Sequence, residues 1–107
     1  MKIPANATVS QNPQLYAALG LWGVLNNAGV NLDSGAPDWL SVSDFKRPCD
    51  VNLWGLIDVT LTFLPLVKIE RGRVVNVASA AGRISAPIWL PYCVSKYGVE
   101  AFTDGIR

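Results

Sequence analysis

Histidine is absent from this 107-residue chain, and charged side chains make up only 16% of it. Without histidine the sequence has neither a histidine-based catalytic triad nor histidine metal ligands. Nine Lys and Arg residues against eight Asp and Glu residues leave a net charge of +1, so no overall field attracts nucleic acid or an anionic membrane surface. The composition therefore predicts neither a nucleic-acid-binding protein nor a metalloprotein.

Cysteine and uninterrupted apolar runs are also scarce. Cys49 and Cys93 lie far apart with no Cys-x-x-Cys spacing, and we interpret them as two buried thiols. The longest apolar stretch, Val51 to Ile69, is broken by Asp58 and Pro65, whereas a spanning helix needs about 20 apolar residues in succession. We therefore expect no membrane-spanning segment. We also do not expect Met1 to Ala5 to begin a signal peptide, because no apolar run follows them.

Apolar residues are abundant instead. They make up 50% of the chain, and the mean hydropathy of +0.28 excludes a disordered polypeptide. A self-contained domain of this size needs a more charged surface for solubility. We therefore expect faces that other elements cover. The predicted organisation is a lead-in over residues 1–20 with a short helix at residues 13–20, followed by a partial domain over residues 21–107.

The pattern of apolar residues predicts the order strand, helix, strand, helix. Residues 21–25 and 74–78 are apolar runs without alternation, as expected of buried parallel strands. Helices are predicted from Cys49 to Leu66, where Pro65 should kink or end the helix, and from Tyr92 to Arg107. Two such strands joined by a helical crossover indicate a right-handed βαβ unit. The predicted fold class is α/β, specifically the central part of a doubly wound parallel sheet.

Tyr92 and Lys96 carry the strongest chemical signal. They are four residues apart on a predicted helix, so their side chains share a face. A free phenol titrates at about pH 10 and is a poor base at neutral pH, but an adjacent ammonium favours the phenolate. The pair could then serve as a general acid and base between an alcohol and a carbonyl. The alternative is an ordinary solvated helix face.

Polar residues at the ends of the predicted strands support a site. Ser79 follows the second strand, and Asn27 and Gly29 follow the first. In open α/β sheets the ligand crevice lies outside the carboxyl ends of the strands, so these residues should face one crevice. Asn52 lies within an otherwise apolar helix. It could satisfy backbone groups, or it could hold a water linked to Lys96.

Together these residues resemble the short-chain dehydrogenase/reductase family. Over about residues 20–107 the sequence looks like the retinol dehydrogenase and hydroxysteroid dehydrogenase branch, which implies a Rossmann-like fold. The motifs that carry the resemblance are Asn26-Asn27-Ala28-Gly29, Val51-Asn52, Asn76-Val77-Ala78-Ser79 and Tyr92-Cys93-Val94-Ser95-Lys96.

The resemblance implies a role for each candidate catalytic residue. Tyr92 would donate and accept the proton. Lys96 would favour the phenolate and bind the nicotinamide ribose, and Ser79 would hydrogen-bond the substrate oxygen. Asn52 would hold a relay water. The implied reaction interconverts a lipophilic primary or secondary alcohol, such as a retinoid or steroid, and its carbonyl.

The resemblance also implies a nicotinamide cofactor, usually NAD in this branch. The turn formed by Asn27, Ala28 and Gly29 would lie along the cofactor near its adenosine. The family's glycine-rich G-x-x-x-G-x-G turn is not found in the sequence. The acidic residue that follows this turn in the family and selects NAD over NADP is not identified either. NADP is therefore left open. The family's later substrate-binding loop is not matched either.

Partners and localisation follow from the resemblance in the same way. The helices 49–66 and 92–107 would form a homodimer interface, and no metal is implied. The branch is mostly bound to the endoplasmic reticulum, although no anchor is identified in these residues, which leaves a cytoplasmic location open. An alternative to the enzyme is a truncated, inactive chain that acts through its dimer-type helix surface.

Overall fold

The computed structural model describes residues 18, 20–32 and 34–107. The predicted helix at residues 13–20 therefore falls outside the described residues, apart from isolated positions. Short 3₁₀ turns lie at Pro37–Trp39, Ala80–Gly82 and Pro87–Trp89. The main elements are β1 (Gly23–Asn26), α1 (Val42–Cys49), a π-helical turn (Asp50–Gly55), α2 (Leu56–Ile69), β2 (Arg73–Asn76) and α3 (Leu90–Gly105).

The two strands form a parallel sheet, which confirms the predicted α/β class. Gly23 lies opposite Arg73 and Asn26 opposite Asn76. Both strands differ from the predicted segments. The first was predicted at residues 21–25 and lies at Gly23–Asn26, and the second was predicted at residues 74–78 and lies at Arg73–Asn76. The apolar runs mark where strands lie but not where they pair, since pairing depends on the register between them.

The first long helix extends further than predicted in both directions. It runs without a break from Val42 to Ile69, because the π-helical turn joins α1 to α2. It does not end at Pro65. Proline removes one backbone hydrogen bond, but Leu66 and Val67 immediately after it are buried. Their packing stabilises the last turn of the helix against that loss.

A capping interaction explains the early start of this helix. The Asp44 carboxylate accepts hydrogen bonds from the backbone N–H of Ser41 at 2.6 Å and from its hydroxyl at 2.7 Å. These bonds lower the pKa of Asp44. A side chain that reciprocates with the cap position satisfies donors that have no partner within the helix.

By length and composition alone, this helix could also cross a membrane; it is the one such candidate in the part of the chain that the structure describes. Core helices of soluble proteins pass the same test. Here the helix carries two fully buried polar side chains, Asn52 and Thr60. Both form hydrogen bonds to other elements of the fold.

The second long helix, α3, begins at Leu90 rather than at the predicted Tyr92 and ends at Gly105. Pro91 lies in its first turn. Proline is tolerated there because the first N–H groups of a helix have no intrahelical acceptor. Close packing then brings α3 against the π-helical turn: a Cβ on Gly98 would lie 2.6 Å from Leu53 Cδ2.

A chain of buried and part-buried hydrogen bonds connects both helices to the sheet. Asn26 Nδ2 donates to Thr60 Oγ1 on α2 and to Asn76 Oδ1 on β2, each at 2.8 Å. Asn76 Nδ2 donates in turn to Thr103 Oγ1 on α3 at 2.9 Å. Because these bonds are at least partly shielded from water, they help to set where each helix lies on the strands.

The sheet keeps one face uncovered among the described residues. Leu25 and Val75 stand opposite each other in register, and their exposed fractions are 66% and 51%. Trp22 and Trp39 are still more exposed. These exposed apolar side chains agree with the expectation that other elements cover some faces of the molecule.

Candidate active site

Lys96 is a buried cation, only 4% exposed, on α3. Its ammonium donates to the backbone carbonyl of Val77, just after β2, at 2.9 Å. No carboxylate in the described part of the chain pairs with it. An ammonium has three N–H donors, so the observed bond leaves further donors for a ligand. A solvated helix face does not describe this residue.

Tyr92 lies beside this cation. The Lys96 ammonium is 5.7 Å from the centroid of the Tyr92 ring, within range of a cation–π interaction. Tyr92 is half-buried. Among the described residues no group hydrogen-bonds its hydroxyl, whereas the hydroxyl of Tyr97 is bonded to Arg83 O. The phenol oxygen of Tyr92 therefore remains available to a substrate.

The turn after β1 also approaches Lys96. A Cβ on Gly29 would lie 3.7 Å from Lys96 Nζ and 3.5 Å from Asn52 Oδ1. Asn27, Ala28 and Gly29 are all exposed. Lys96 thus meets segments that follow the carboxyl ends of both strands. This is the convergence that a single crevice at that edge requires.

Ser79 caps the 3₁₀ turn Ala80–Gly82. Its hydroxyl oxygen accepts a hydrogen bond from the backbone N–H of Ala81 at 3.1 Å. A serine hydroxyl has one proton to donate and two lone pairs. Because the observed bond uses a lone pair, the proton remains free for an acceptor. The half-buried Ser79 side chain can therefore donate to a carbonyl or alcohol oxygen.

Three contacts hold the segment after Ser79 on α3. Arg83 and Glu100 form an ion pair at 2.7 Å, and the Tyr97 hydroxyl donates to the Arg83 carbonyl at 2.7 Å. A Cβ on Gly82 would lie 2.9 Å from Lys96 O, so this glycine permits close approach. We name this set of contacts the Arg83 clamp. It joins the Ser79 turn to the helix that carries Tyr92 and Lys96.

The side chain of Asn52 is fully buried and hydrogen-bonded on both sides of its amide. Oδ1 accepts from Val30 N at 2.7 Å, while Nδ2 donates to Val30 O at 2.8 Å and to Ser95 Oγ at 2.9 Å. The sequence left two alternatives for Asn52, a side chain that satisfies backbone groups or one that holds a water. The structure shows the bonds to backbone groups. Both N–H donors of the side chain are occupied, so a water would have to bind another lone pair or the backbone.

Sequence reasoning missed Ser95 and the members of the Arg83 clamp. Ser95 is fully buried, and its hydroxyl donates to Tyr92 O at 2.7 Å. A fully buried serine between Tyr92 and Lys96 could have been suspected from its place among apolar residues. The Arg83–Glu100 pair had no local signal, since its members are 17 residues apart.

A mostly apolar cavity of about 340 Å³ lies beside the turn after β1. Asn27 and Ala28 contribute to its lining, and they belong to the same turn as Gly29, which approaches Lys96. A volume of this size accommodates a ring system. Its lining residues are Leu25, Asn26, Asn27, Ala28, Val51, Gly55, Leu56 and Val59.

Comparison of the sequence with known proteins identifies the family of this chain. The family described as short chain dehydrogenase matches residues 5–107. The mouse short-chain dehydrogenase/reductase family 9C member 7 is 57% identical over 88 residues, which are 82% of this chain and 28% of that protein. Retinol dehydrogenase 16 of mouse is 56% identical over 88 residues, 82% of this chain and 27% of that protein. The chain therefore spans just over a quarter of these relatives.

Solved structures agree in fold. The short chain dehydrogenase of Shigella flexneri superposes with a TM-score of 0.76 at 24% identity, covering 94% of this chain and 42% of that one. The serine dehydrogenase of Escherichia coli gives a TM-score of 0.74 at 30% identity, covering 82% and 41%. The Rossmann-like expectation is confirmed. With a match that extends over nearly its whole length, the chain belongs to the short-chain dehydrogenase family.

Proposed function

We propose that this chain carries the catalytic residues of a nicotinamide-dependent dehydrogenase that interconverts a lipophilic alcohol and its carbonyl. The observation that supports this most is the buried Lys96 ammonium, which uses one of its donors on Val77 O. It lies beside the Tyr92 phenol, whose hydroxyl has no hydrogen-bond partner among the described residues. A retinoid or steroid-like substrate is proposed because relatives are named retinol dehydrogenases and because the sequence resembles that branch.

The residues present fit one part of a nicotinamide cofactor. The free donors of Lys96 suit ribose hydroxyls, and the exposed turn Asn27, Ala28 and Gly29 with its adjoining cavity suits the adenosine side. We propose NAD, and NADP remains open because no acidic selector is identified. When bound, such a cofactor accepts the hydride from an alcohol or donates it to a carbonyl.

In the proposed oxidation Tyr92 removes the hydroxyl proton, and in the reduction it returns that proton. The Lys96 ammonium, 5.7 Å from the centroid of the Tyr92 ring, places a positive charge beside the phenol at this step. Ser79 donates its free proton to the substrate oxygen and so stabilises negative charge that develops there. Asn52 fixes the turn at Val30 relative to α3. The relay water proposed for it would bind the remaining lone pair of Oδ1 or a backbone atom.

A titration of the purified chain with NADH, followed by fluorescence, tests cofactor binding. We expect saturable binding that Lys96→Met weakens at least tenfold, because the ribose loses its donors. The matched control is Lys46→Met, which removes an exposed lysine on α1 and should leave binding unchanged. No saturable binding by the wild-type chain would remove the proposed cofactor site.

Alcohol oxidation tests the role of Tyr92. Tyr92→Phe keeps the ring and removes the oxygen, so we expect turnover to fall roughly 10²–10⁴-fold, the range of a general acid–base contribution. NADH affinity and the circular dichroism spectrum should stay close to the wild type. Turnover retained by Tyr92→Phe would assign the proton transfer to another group.

A second candidate is an inactive chain that acts through a dimer surface. It is favoured by exposed apolar side chains on the two long helices, Trp54 and Leu61 on the first and Val94 on α3. Sedimentation velocity should then show a dimer that Leu61→Glu converts to monomer. A stable dimer without NADH binding supports this candidate, whereas a dimer that binds NADH supports a dimeric enzyme.

Association with the endoplasmic reticulum membrane is proposed from the resemblance. Carbonate extraction of fractionated cells separates the outcomes. Recovery of the chain in the membrane pellet supports the proposal, and recovery in the cytoplasmic fraction contradicts it.

A further inference from the structure

Four of the nine Lys and Arg side chains of this nearly neutral chain line one cavity. The cavity has a volume of about 630 Å³ and lies at the amino end of β2, whereas Ser79 follows the carboxyl end of that strand. It is therefore separate from the candidate active site. The four cations are Lys68, Arg71, Arg73 and Arg107.

Among the residues that the structure describes, three of these cations have no ionic partner. Within the described residues no carboxylate pairs with Lys68, Arg71 or Arg73. Arg107 has a contact of 3.6 Å with Asp104, and both side chains are largely exposed. An exposed pair of this kind contributes little and competes weakly with a ligand. The cavity therefore holds a local excess of positive charge that the net charge of the chain conceals.

A helix dipole accounts for only part of this cluster. Lys68 lies in the last turn of α2, where a cation is favoured by the unpaired carbonyls. Arg71 and Arg73 follow the helix and lie beside Gly72. The turn is held in place because Gly72 N donates to Val67 O at 2.8 Å and Arg73 N donates to Trp22 O at 2.9 Å. The backbone that presents these cations is thus organised before any ligand binds.

The rest of the cavity wall is mainly apolar. Leu64, Val67, Val74 and Ile106 contribute to it, and Val67 is almost completely buried. The polar groups of Asn76 and Thr103 in the lining are already hydrogen-bonded to each other. A fully hydrated ion would leave this apolar wall without a partner. An apolar chain attached to the ion would cover it.

We propose that this cavity binds an amphiphilic anion, that is, a phosphate or carboxylate headgroup carried on an apolar tail. The guanidinium groups of Arg71 and Arg73 suit either headgroup because they present paired N–H donors. The tail lies along Leu64, Val67, Val74 and Ile106. The volume falls within the range of about 300–1,000 Å³ that is usual for small-molecule sites.

Calorimetric titration of the 107-residue chain with related probes tests headgroup and tail separately. We expect octyl phosphate to bind saturably at a ratio near one, at least tenfold more tightly than inorganic phosphate. Octanol, with the same tail and no charge, should bind at least tenfold more weakly than octyl phosphate. Octanoate in place of octyl phosphate shows whether a carboxylate headgroup is also accepted, and binding of either anion supports the site.

Charge-removing variants locate the site. Arg71→Gln combined with Arg73→Gln should weaken octyl phosphate binding at least tenfold, and Lys68→Gln alone should weaken it several-fold. Lys46→Gln removes an exposed cation on α1 outside the cavity and serves as the matched control. All four positions are exposed, so circular dichroism should show an unchanged fold.

Three outcomes would overturn the proposal. They are the absence of saturable binding, equal binding of octyl phosphate and octanol, and an equal loss of affinity in the Lys46→Gln control. Addition of NADH should not displace octyl phosphate, since the nicotinamide site is proposed at the other end of β2. Displacement in a one-to-one ratio would place the amphiphile in the cofactor site instead. Because each readout is direct binding, failure of catalysis has no effect on this test.

Discussion

At the scale of single residues, Asn52 shows how a buried polar side chain joins separate segments. Its amide bonds Val30 through both backbone groups and reaches α3 through Ser95. The sequence indicated that Asn52 is unusual, since it interrupts an apolar helix. It could not indicate the partners, because Val30 and Ser95 lie 22 and 43 residues away along the chain.

Removal of the Asn52 amide should therefore be costly. Asn52→Ala leaves the backbone N–H and carbonyl of Val30 without their partners in a part-buried place, and we expect a loss of roughly 1–3 kcal/mol in the free energy of unfolding. Urea denaturation measures this. Asn27→Ala, at an exposed position with no such bonds, is the control and should change stability by less than about 0.5 kcal/mol. Equal effects of the two substitutions would contradict the role given to Asn52.

Cys49 gives a pH-dependent prediction at the same scale. Burial, and to a smaller extent the charge of Asp50, raises the pKa of this thiol above its ordinary value of 9.0. Above that pH the unfolded thiol ionises while the folded thiol remains neutral, so ionisation favours the unfolded state. We expect the free energy of unfolding to fall as pH rises beyond 9.0.

Urea denaturation over an alkaline pH series, compared with Cys49→Ala, isolates this effect. The variant should show a smaller decline because it has no thiol to ionise. In the folded protein at neutral pH, iodoacetamide should also modify Cys49 slowly, since the thiolate is the reactive form. A decline of the same size in both proteins would assign the pH dependence to other groups.

At the scale of secondary-structure elements, the contacts between elements decide the geometry of the candidate site. The sequence predicted Tyr92 and Lys96 on one helix face from their spacing, and both lie on α3. It did not predict that the Ser79 turn would be held on that helix by Arg83, Tyr97 and Glu100. The helical repeat relates residues three and four apart, whereas these contacts join a loop to a helix.

Loosening the Arg83 clamp should affect catalysis more than cofactor binding. Glu100→Gln removes the charge that holds Arg83, and we expect kcat/KM for an alcohol to fall several-fold as the Ser79 hydroxyl becomes less well positioned. The Kd for NADH should not change, because Lys96 keeps its contacts. Stopped-flow and fluorescence measurements give the two values separately.

Asp104→Asn provides a matched control on the same helix, since Asp104 pairs with Arg107 rather than with Arg83. It should leave both values near those of the wild type. If Glu100→Gln and Asp104→Asn behave alike, the clamp has no part in positioning Ser79. If Glu100→Gln weakens NADH binding as much as turnover, its effect is a general distortion of α3.

At the scale of the whole molecule, the described fold has an uncovered sheet face. Leu25 and Val75 are exposed in register on this face, and the chain spans about 28% of a relative such as the mouse family 9C member 7. The apolar composition predicted that some faces of the molecule would be covered by other elements. Which face this is depends on the strand register and on where the helices pack.

Substitution on this face should be tolerated. We expect Leu25→Lys with Val75→Lys to change the free energy of unfolding by no more than about 1 kcal/mol, since exposed positions contribute little each. Fluorescence of the apolar dye ANS bound to the chain should decrease. Val67→Lys, at a buried position, is the contrasting variant and should unfold the chain. Unfolding by the double variant would show that the sheet face is covered in solution.

The sequence by itself determined the order of strands and helices, the parallel pairing and the shared helix face of Tyr92 and Lys96. These features depend on residue spacing and on short-range periodicity. Only the tertiary structure decided the end of the long helix beyond Pro65, the bonding of Asn52, the carbonyl that Lys96 meets and the gathering of four cations in one cavity. Each of these depends on packing between distant segments, which spacing along the chain does not encode.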